Sequence, residues 1–247
     1  VDAADFYTGI VVEGYALLKS TDFPADRYAD LIVSSGQPAL ELGCGDGDPL
    51  LELRRRGLDV EGVDASADML ARCAERAAEA GLEVVTHHQR MEELSLGRPF
   101  RTIFLAGPTF NLLPDDDLAL RALVRLREHL TEDGTALVPL WIPPPSPPES
   151  LGVAREAVAE DGSTLTFTAL AEDYDPSGRT RTTRTSYARH TSAGTETADR
   201  DWVIHWHSPE SFGELAEAAG LRIVTMTDPH GEPVSGDEEE FLVTLTR

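Results

Sequence analysis

The ten residues from Ala39 to Asp48, A-L-E-L-G-C-G-D-G-D, constrain this chain more than any other stretch. A short apolar run carries one acid, Glu41, and is followed by glycines at 43, 45 and 47. An apolar strand that enters a glycine-rich turn and leaves through a helix brings backbone close to a flat nucleoside ligand at the carboxyl end of the strand. A dinucleotide fingerprint GxGxxG would want its third glycine where this chain has Asp48, which weakens a nicotinamide reading.

The flanking sequence alternates helix and strand signals. Residues 3–19 space Phe6, Ile10, Val11, Tyr15, Leu17 and Leu18 as one lead-in helix, and a second runs from Ala25 to Ser34 before Gly36. After the glycine turn, Asp48 is expected to cap a helix with Pro49 at its first position. Val60 to Val63 reads as a buried strand ending at Asp64, and Ser66 as the cap of a helix that reaches Gly81. Strands are expected at Glu83 to His87, Thr102 to Ala106 and Ala136 to Ile142, with an amphipathic helix from Asp115 to Leu130. Such alternation implies a parallel sheet with right-handed crossovers and helices on both faces.

The texture changes at Pro143 to Pro148, a proline run that cannot continue a central strand. Residues 163–207 are rich in Thr, Tyr, Val and Trp and are punctuated by D-G, D-P-S-G and S-A-G, which reads as several antiparallel strands. Ser208 and Pro209 then open a helix that ends at Gly220, and Leu221 to Met226 and Phe241 to Thr246 read as closing strands.

Composition removes several classes of partner. With 21 Lys plus Arg against 44 Asp plus Glu, the net charge is -23, so the surface repels phosphate backbones and anionic membranes. Neither nucleic acid nor membrane is expected as a partner, and a monomer or homodimer is expected. Only Cys44 and Cys73 are present, one in the turn and one in a helix, which argues against a disulfide framework and for a cytoplasmic protein. No stretch approaches a membrane span and no signal-peptide pattern is present. No histidine, cysteine and carboxylate group has metal-ligand spacing along the chain, so no metal is expected, and no GxSxG elbow is present.

With the apolar G-V-D that ends at Asp64, the ExGxGxG pattern of Glu41, Gly43, Gly45 and Gly47 resembles the first two motifs of the class I S-adenosylmethionine (SAM) dependent methyltransferases. The resemblance covers nearly the whole chain. It implies an α/β, Rossmann-like seven-stranded methyltransferase sheet with a reversed last strand, leading helices and an inserted antiparallel β-layer. The corresponding division is 1–36 for leading helices that form a lid, 37–148 and 202–247 for the SAM-binding core, and 149–201 for a substrate-covering layer. The inserted layer resembles small-molecule enzymes that modify glycine, sugars and natural products.

The same resemblance assigns roles. Asp64 would accept hydrogen bonds from the ribose hydroxyls, Ala65 and Met69 would flank adenine, and Glu41 would hold the positive end of the cofactor. Backbone at Gly43, Cys44 and Gly45 would lie along the amino-acid tail, and carbonyls at Ala106 and Gly107 would meet its ammonium. Arg90 stands where the family commonly has an acid, which shifts the adenine contact to backbone at Arg90 and Met91 or to Glu92. The segment after the fourth strand, A-G-P-T-F-N, departs from the D-P-P-Y type of base-methylating enzymes. Tyr7, Tyr15 and Tyr28 are candidate contacts to cofactor or acceptor, and Trp141 a candidate wall of the acceptor pocket. His205 and His207 flank Trp206 on one strand face and are the candidate bases, titrating near roughly 6.5 if unperturbed.

The expectation is a SAM-dependent methyltransferase that moves a methyl group to an oxygen or nitrogen of a small molecule, with a natural-product intermediate as acceptor and S-adenosylhomocysteine as product. A peptide or protein N-terminal methyltransferase and a non-catalytic SAM-binding protein are the alternatives.

Overall fold

A computed structural model describes residues 3–18, 23–236 and 238–247. Two sheets form the framework. The larger holds seven strands in the order β10-β11-β5-β4-β1-β2-β3, where β1 is Ala39–Leu42, β2 Val60–Asp64, β3 Thr86–His88, β4 Phe100–Phe104, β5 Leu130–Trp141, β10 Arg222–Thr227 and β11 Glu240–Thr246. Pairings among β1 to β5 are parallel, and β11 pairs antiparallel with both β5 and β10. This is the expected sheet with its reversed last strand. The expected strand at Glu83 is shorter and starts at Thr86, whereas β5 starts earlier, directly from its helix.

Side chains on successive strand residues point to opposite faces. Ile103, Ala136 and Val138 therefore pack into one apolar cluster, with Phe110, Leu123 and Phe212, while Phe104 and Leu137 pack into a second with Tyr28, Ile32 and Leu53. The first cluster is covered by α6 (Asp116–His129) and α7 (Pro209–Ala218), the second by α3 (Ala25–Ser35), α4 (Leu50–Arg55) and α5 (Ala67–Glu79).

The helices start largely where their caps say. Ser66 accepts from the Met69 amide, Asp115 from the Leu118 amide, and Ser208 forms a reciprocal capping box with Ser211. Asp48 makes no such cap: Pro49 holds the cap position of α4, and the Gly47 carbonyl takes the Leu51 amide that a capping side chain would have served. The single lead-in helix is also two helices, α1 (Ala3–Phe6) and α2 (Ile10–Leu18), broken at Gly9, whose φ of +56° suits glycine and whose amide donates to Asp68 Oδ2 at 2.9 Å. The expected break after α2 lies partly outside the described residues.

The smaller sheet is antiparallel, in the order β6-β7-β8-β9, with β6 Ala154–Val158, β7 Thr164–Asp175, β8 Thr180–Thr191 and β9 Gly194–His205. Trp202 to His205, expected with the core, belong to β9 and pair with β8 down to Thr180. α1 packs on β9, and α2 on β6, β7 and β8. The leading helices thus lie between the small sheet and the carboxyl ends of β1 and β2.

Candidate active site

The glycine turn is drawn back under the end of β2. Gly43 and Cys44 donate their amides to the Val63 carbonyl at 2.7 and 3.0 Å, and Gly45 donates to Asp64 Oδ2 at 2.8 Å. Gly43 and Gly45 have φ values of +75° and +53°. A Cβ on Gly43 would lie 2.4 Å from Thr109 Cγ2, so a side chain there has neither the backbone conformation nor the space.

Asp64 is fixed by a second bond, from the Ser66 amide to Oδ1 at 2.8 Å. A carboxylate offers about four lone-pair sites, so acceptor capacity remains for a ligand beyond these backbone donors. Burial raises its pKa, and the bonds from Ser66 and Gly45 oppose that rise. Asp64 forms part of the wall of a cavity of about 350 Å³, with Tyr7, Gly43, Ala65, Arg90, Met91 and Glu92. That volume is within the range of roughly 300–1,000 Å³ that small-molecule sites occupy. Leu112, Leu113, Pro114 and Leu118 also line the cavity. Sequence reading missed this apolar wall. Its signal was the run of apolar residues between the fourth strand and the Asp115 cap.

Glu41 is completely buried on β1, and neither carboxylate oxygen has a hydrogen-bond partner among the described residues. Burial drives its pKa well above the usual range, and the negative charges of Asp48, Asp64 and Asp46 push the same way. An unpartnered buried acid among other acids lacks a cation or a donor. The sulfonium and ammonium of SAM are cations, so the acids present fit that cofactor. Asp64, a carboxylate in the cavity wall, suits a diol in the same way.

Tyr7 reaches the cavity because its carbonyl accepts a 2.5 Å bond from Ser66 Oγ. Tyr15 packs edge-on against Tyr7 at 5.6 Å, and burial raises its pKa to about 12. Trp202 lies beside the Tyr7 hydroxyl, which burial keeps protonated. Tyr28 is core: it stacks on Phe104 at 5.0 Å and accepts the Gly107 amide at 3.2 Å.

Several expected cofactor residues lie outside the cavity lining. Met69 is buried beneath Gly45, and Cys44 packs against Gly62 with its thiol pKa raised by burial. Gly107 is covered by Phe23 from the leading segment, and the Ala106 carbonyl accepts from Thr109 Oγ1. Trp141 is tied through its backbone to both ends of the Asn111 amide and lies 4.7 Å beneath the Arg181 guanidinium.

His205 and His207 do come together, with ring centroids 4.8 Å apart, but both are buried and neither forms part of the cavity lining. The expected titration near 6.5 does not hold. Burial lowers both pKa values, and for His207 burial, His205 and Arg179 bring it to about 3. Asp116 and Arg179, which sequence reading did not single out, complete this cluster. Asp116 Oδ1 lies 3.6 Å from one nitrogen of each ring, and Arg179 bonds both Asp116 and His207.

The chain is similar to known methyltransferases. A family model described as a methyltransferase domain matches residues 39–134. A dTDP-3-amino-3,6-dideoxy-alpha-D-glucopyranose N,N-dimethyltransferase from Streptomyces fradiae is 33% identical over 170 residues, 65% of this chain and 64% of the relative's length. A dTDP-3-amino-3,4,6-trideoxy-alpha-D-glucopyranose N,N-dimethyltransferase from Streptomyces venezuelae is 28% identical over 67% of this chain and 68% of its own. Among solved structures, the CcbJ methyltransferase from Streptomyces caelestis superposes with a TM-score of 0.73 over 96% of this chain and 95% of its own, at 22% identity, a likeness of fold.

Proposed function

We propose that the chain is a class I SAM-dependent methyltransferase and that it methylates an amino nitrogen on a small sugar built into a natural product. The observation that carries the cofactor part of the reading is the buried, unpartnered carboxylate of Glu41, together with Asp64 in the cavity wall. The amino-sugar acceptor is supported by the two sugar N,N-dimethyltransferases.

When bound, SAM supplies a methyl group already activated on a sulfonium. Asp64 would accept from the ribose hydroxyls, Glu41 would offset positive charge, and Tyr7 would exclude water from the cavity. The acceptor nitrogen would take the methyl group as its carbon–sulfur bond broke, and would then give up a proton to water. An amine attacks in its neutral form, having left its own proton in water. His205 and His207 are therefore not asked to act as bases. Alignment of acceptor and methyl contributes most, roughly 7–11 kcal/mol in well-oriented systems. The small sheet and the leading helices cover the acceptor.

The test is turnover with amino sugars and with their hydroxyl counterparts, free and nucleotide-linked. Methylation of the amino sugars, with a rate that rises through the amine's own pKa, is expected. Methylation of the hydroxyl sugars while the amines stay inert overturns the assignment of nitrogen.

A further inference from the structure

Asp116, His205 and His207 are the one group of three side chains among the described residues that brings metal-ligating atoms together, all within 4.8 Å of one another. We infer that these three residues bind a divalent transition-metal ion of the zinc class, at the junction between the small sheet and the wall of the cofactor cavity.

The geometry comes from three separate elements. His205 ends β9, His207 follows it just ahead of the Ser208 cap of α7, and Asp116 opens α6 between Pro114 and Leu118, both of which wall the cavity. Asp116 Oδ1 is 3.6 Å from His205 Nε2 and 3.6 Å from His207 Nδ1. Two donors held ~2.1 Å from one ion at a tetrahedral angle lie about 3.4 Å apart, so small side-chain movements suffice. Two imidazoles and a carboxylate select borderline ions such as Zn²⁺ or Co²⁺, whereas Mg²⁺ and Ca²⁺ demand oxygen ligands. Three protein ligands leave a fourth position for water, and Asp116 is half-exposed, which gives an ion a way in.

Arg179 marks the place as one built for positive charge. Its Nη2 bonds Asp116 Oδ2, and its Nη1 lies 3.2 Å from His207 Nδ1 and 3.4 Å from Ser211 Oγ. Its backbone adopts φ +53°, a conformation that side-chain-bearing residues adopt at a cost and that delivers this guanidinium to the cluster. The metal and the guanidinium compete for the same two residues, and binding turns Arg179 out toward solvent.

The experiment is calorimetric titration of the full chain with Zn²⁺, repeated with Co²⁺ while its visible absorption reports nitrogen ligation. One ion per chain is expected. His205→Asn and His207→Asn should each weaken it at least about tenfold, and Arg179→Gln, which removes the competitor, should tighten it. Should a buried substitution fail to fold, Asp116→Asn at the half-exposed position gives the same loss. Unchanged affinity in these ligand variants places the ion on the acidic surface and overturns the site. So does Arg179→Gln that leaves affinity unchanged or weaker.

Discussion

Glu41 is a fully buried acid whose ionisation burial and the neighbouring acids Asp48, Asp64 and Asp46 oppose. An acid whose native pKa lies above its unfolded value takes up a proton on folding, so its contribution to stability falls as pH rises above about 4.3. A bound cation reverses that preference by favouring the ionised form. Glu41→Gln should therefore raise the thermal stability of the ligand-free chain at pH 7 while weakening SAM binding at least about tenfold, since charge-assisted bonds contribute roughly 1.5–3 kcal/mol. Thermal melts and calorimetry with SAM read the two effects, and movement of both in the same direction would count against this role. Asp64→Ala, which removes a carboxylate from the cavity wall and frees the Gly45 and Ser66 amides it holds, should cost SAM affinity by at least about tenfold in a folded protein. His207 gives a third prediction. Its native pKa of about 3 lies below the unfolded value near 6.5, so the unfolded chain binds a proton that the native chain refuses, and stability falls as pH drops through that window. Urea melts at a series of pH values should show this acid slope, and His207→Asn should flatten it.

At the scale of elements, the corner between β2 and α5 ties the leading helices to the cavity. Ser66 Oγ accepts the Met69 amide and donates to the Tyr7 carbonyl, so Ser66→Ala should cost about 1 kcal/mol of stability and also raise the KM for SAM by freeing Tyr7. A loss of stability with unchanged KM would separate the two roles and remove Tyr7 from the site. What sequence made legible was local. The glycine turn, the capping serines and the alternation of apolar strands with helices each follow from near neighbours, and they carry the large sheet and Asp64 with them. What was not legible depended on distant segments. Phe23 covers Gly107, the Gly45 turn covers Met69, and Asp116 meets the two histidines only because the start of α6 and the end of β9 converge. Linear spacing contains none of these, nor the burial that shifts both histidine pKa values. The small sheet was legible as β-rich, but its last strand runs on to His205 because pairing with β8 does not stop at a change in composition.

For the whole molecule, a net charge of -23 bears on acceptor choice. Long-range repulsion slows an anionic ligand and is screened by salt, with a Debye length of about 10 Å at 0.1 M. A nucleotide-linked amino sugar should therefore show a KM that falls as salt rises, whereas the KM of a free, cationic amino sugar should rise. Steady-state kinetics across a salt series distinguishes them. Among the described residues no helix is long and apolar enough to cross a membrane. The central claim is that this fold turns over SAM on an amine and does more than retain it. Its most direct measurement is mass spectrometry of a reaction with methyl-deuterated SAM and dTDP-linked 3-amino-3,6-dideoxyglucose alongside other amino sugars. The expected result is a deuterated methyl group on the sugar nitrogen, with one S-adenosylhomocysteine released per methyl transferred. Intact SAM bound by the protein, with no S-adenosylhomocysteine formed from any amine offered, would contradict it.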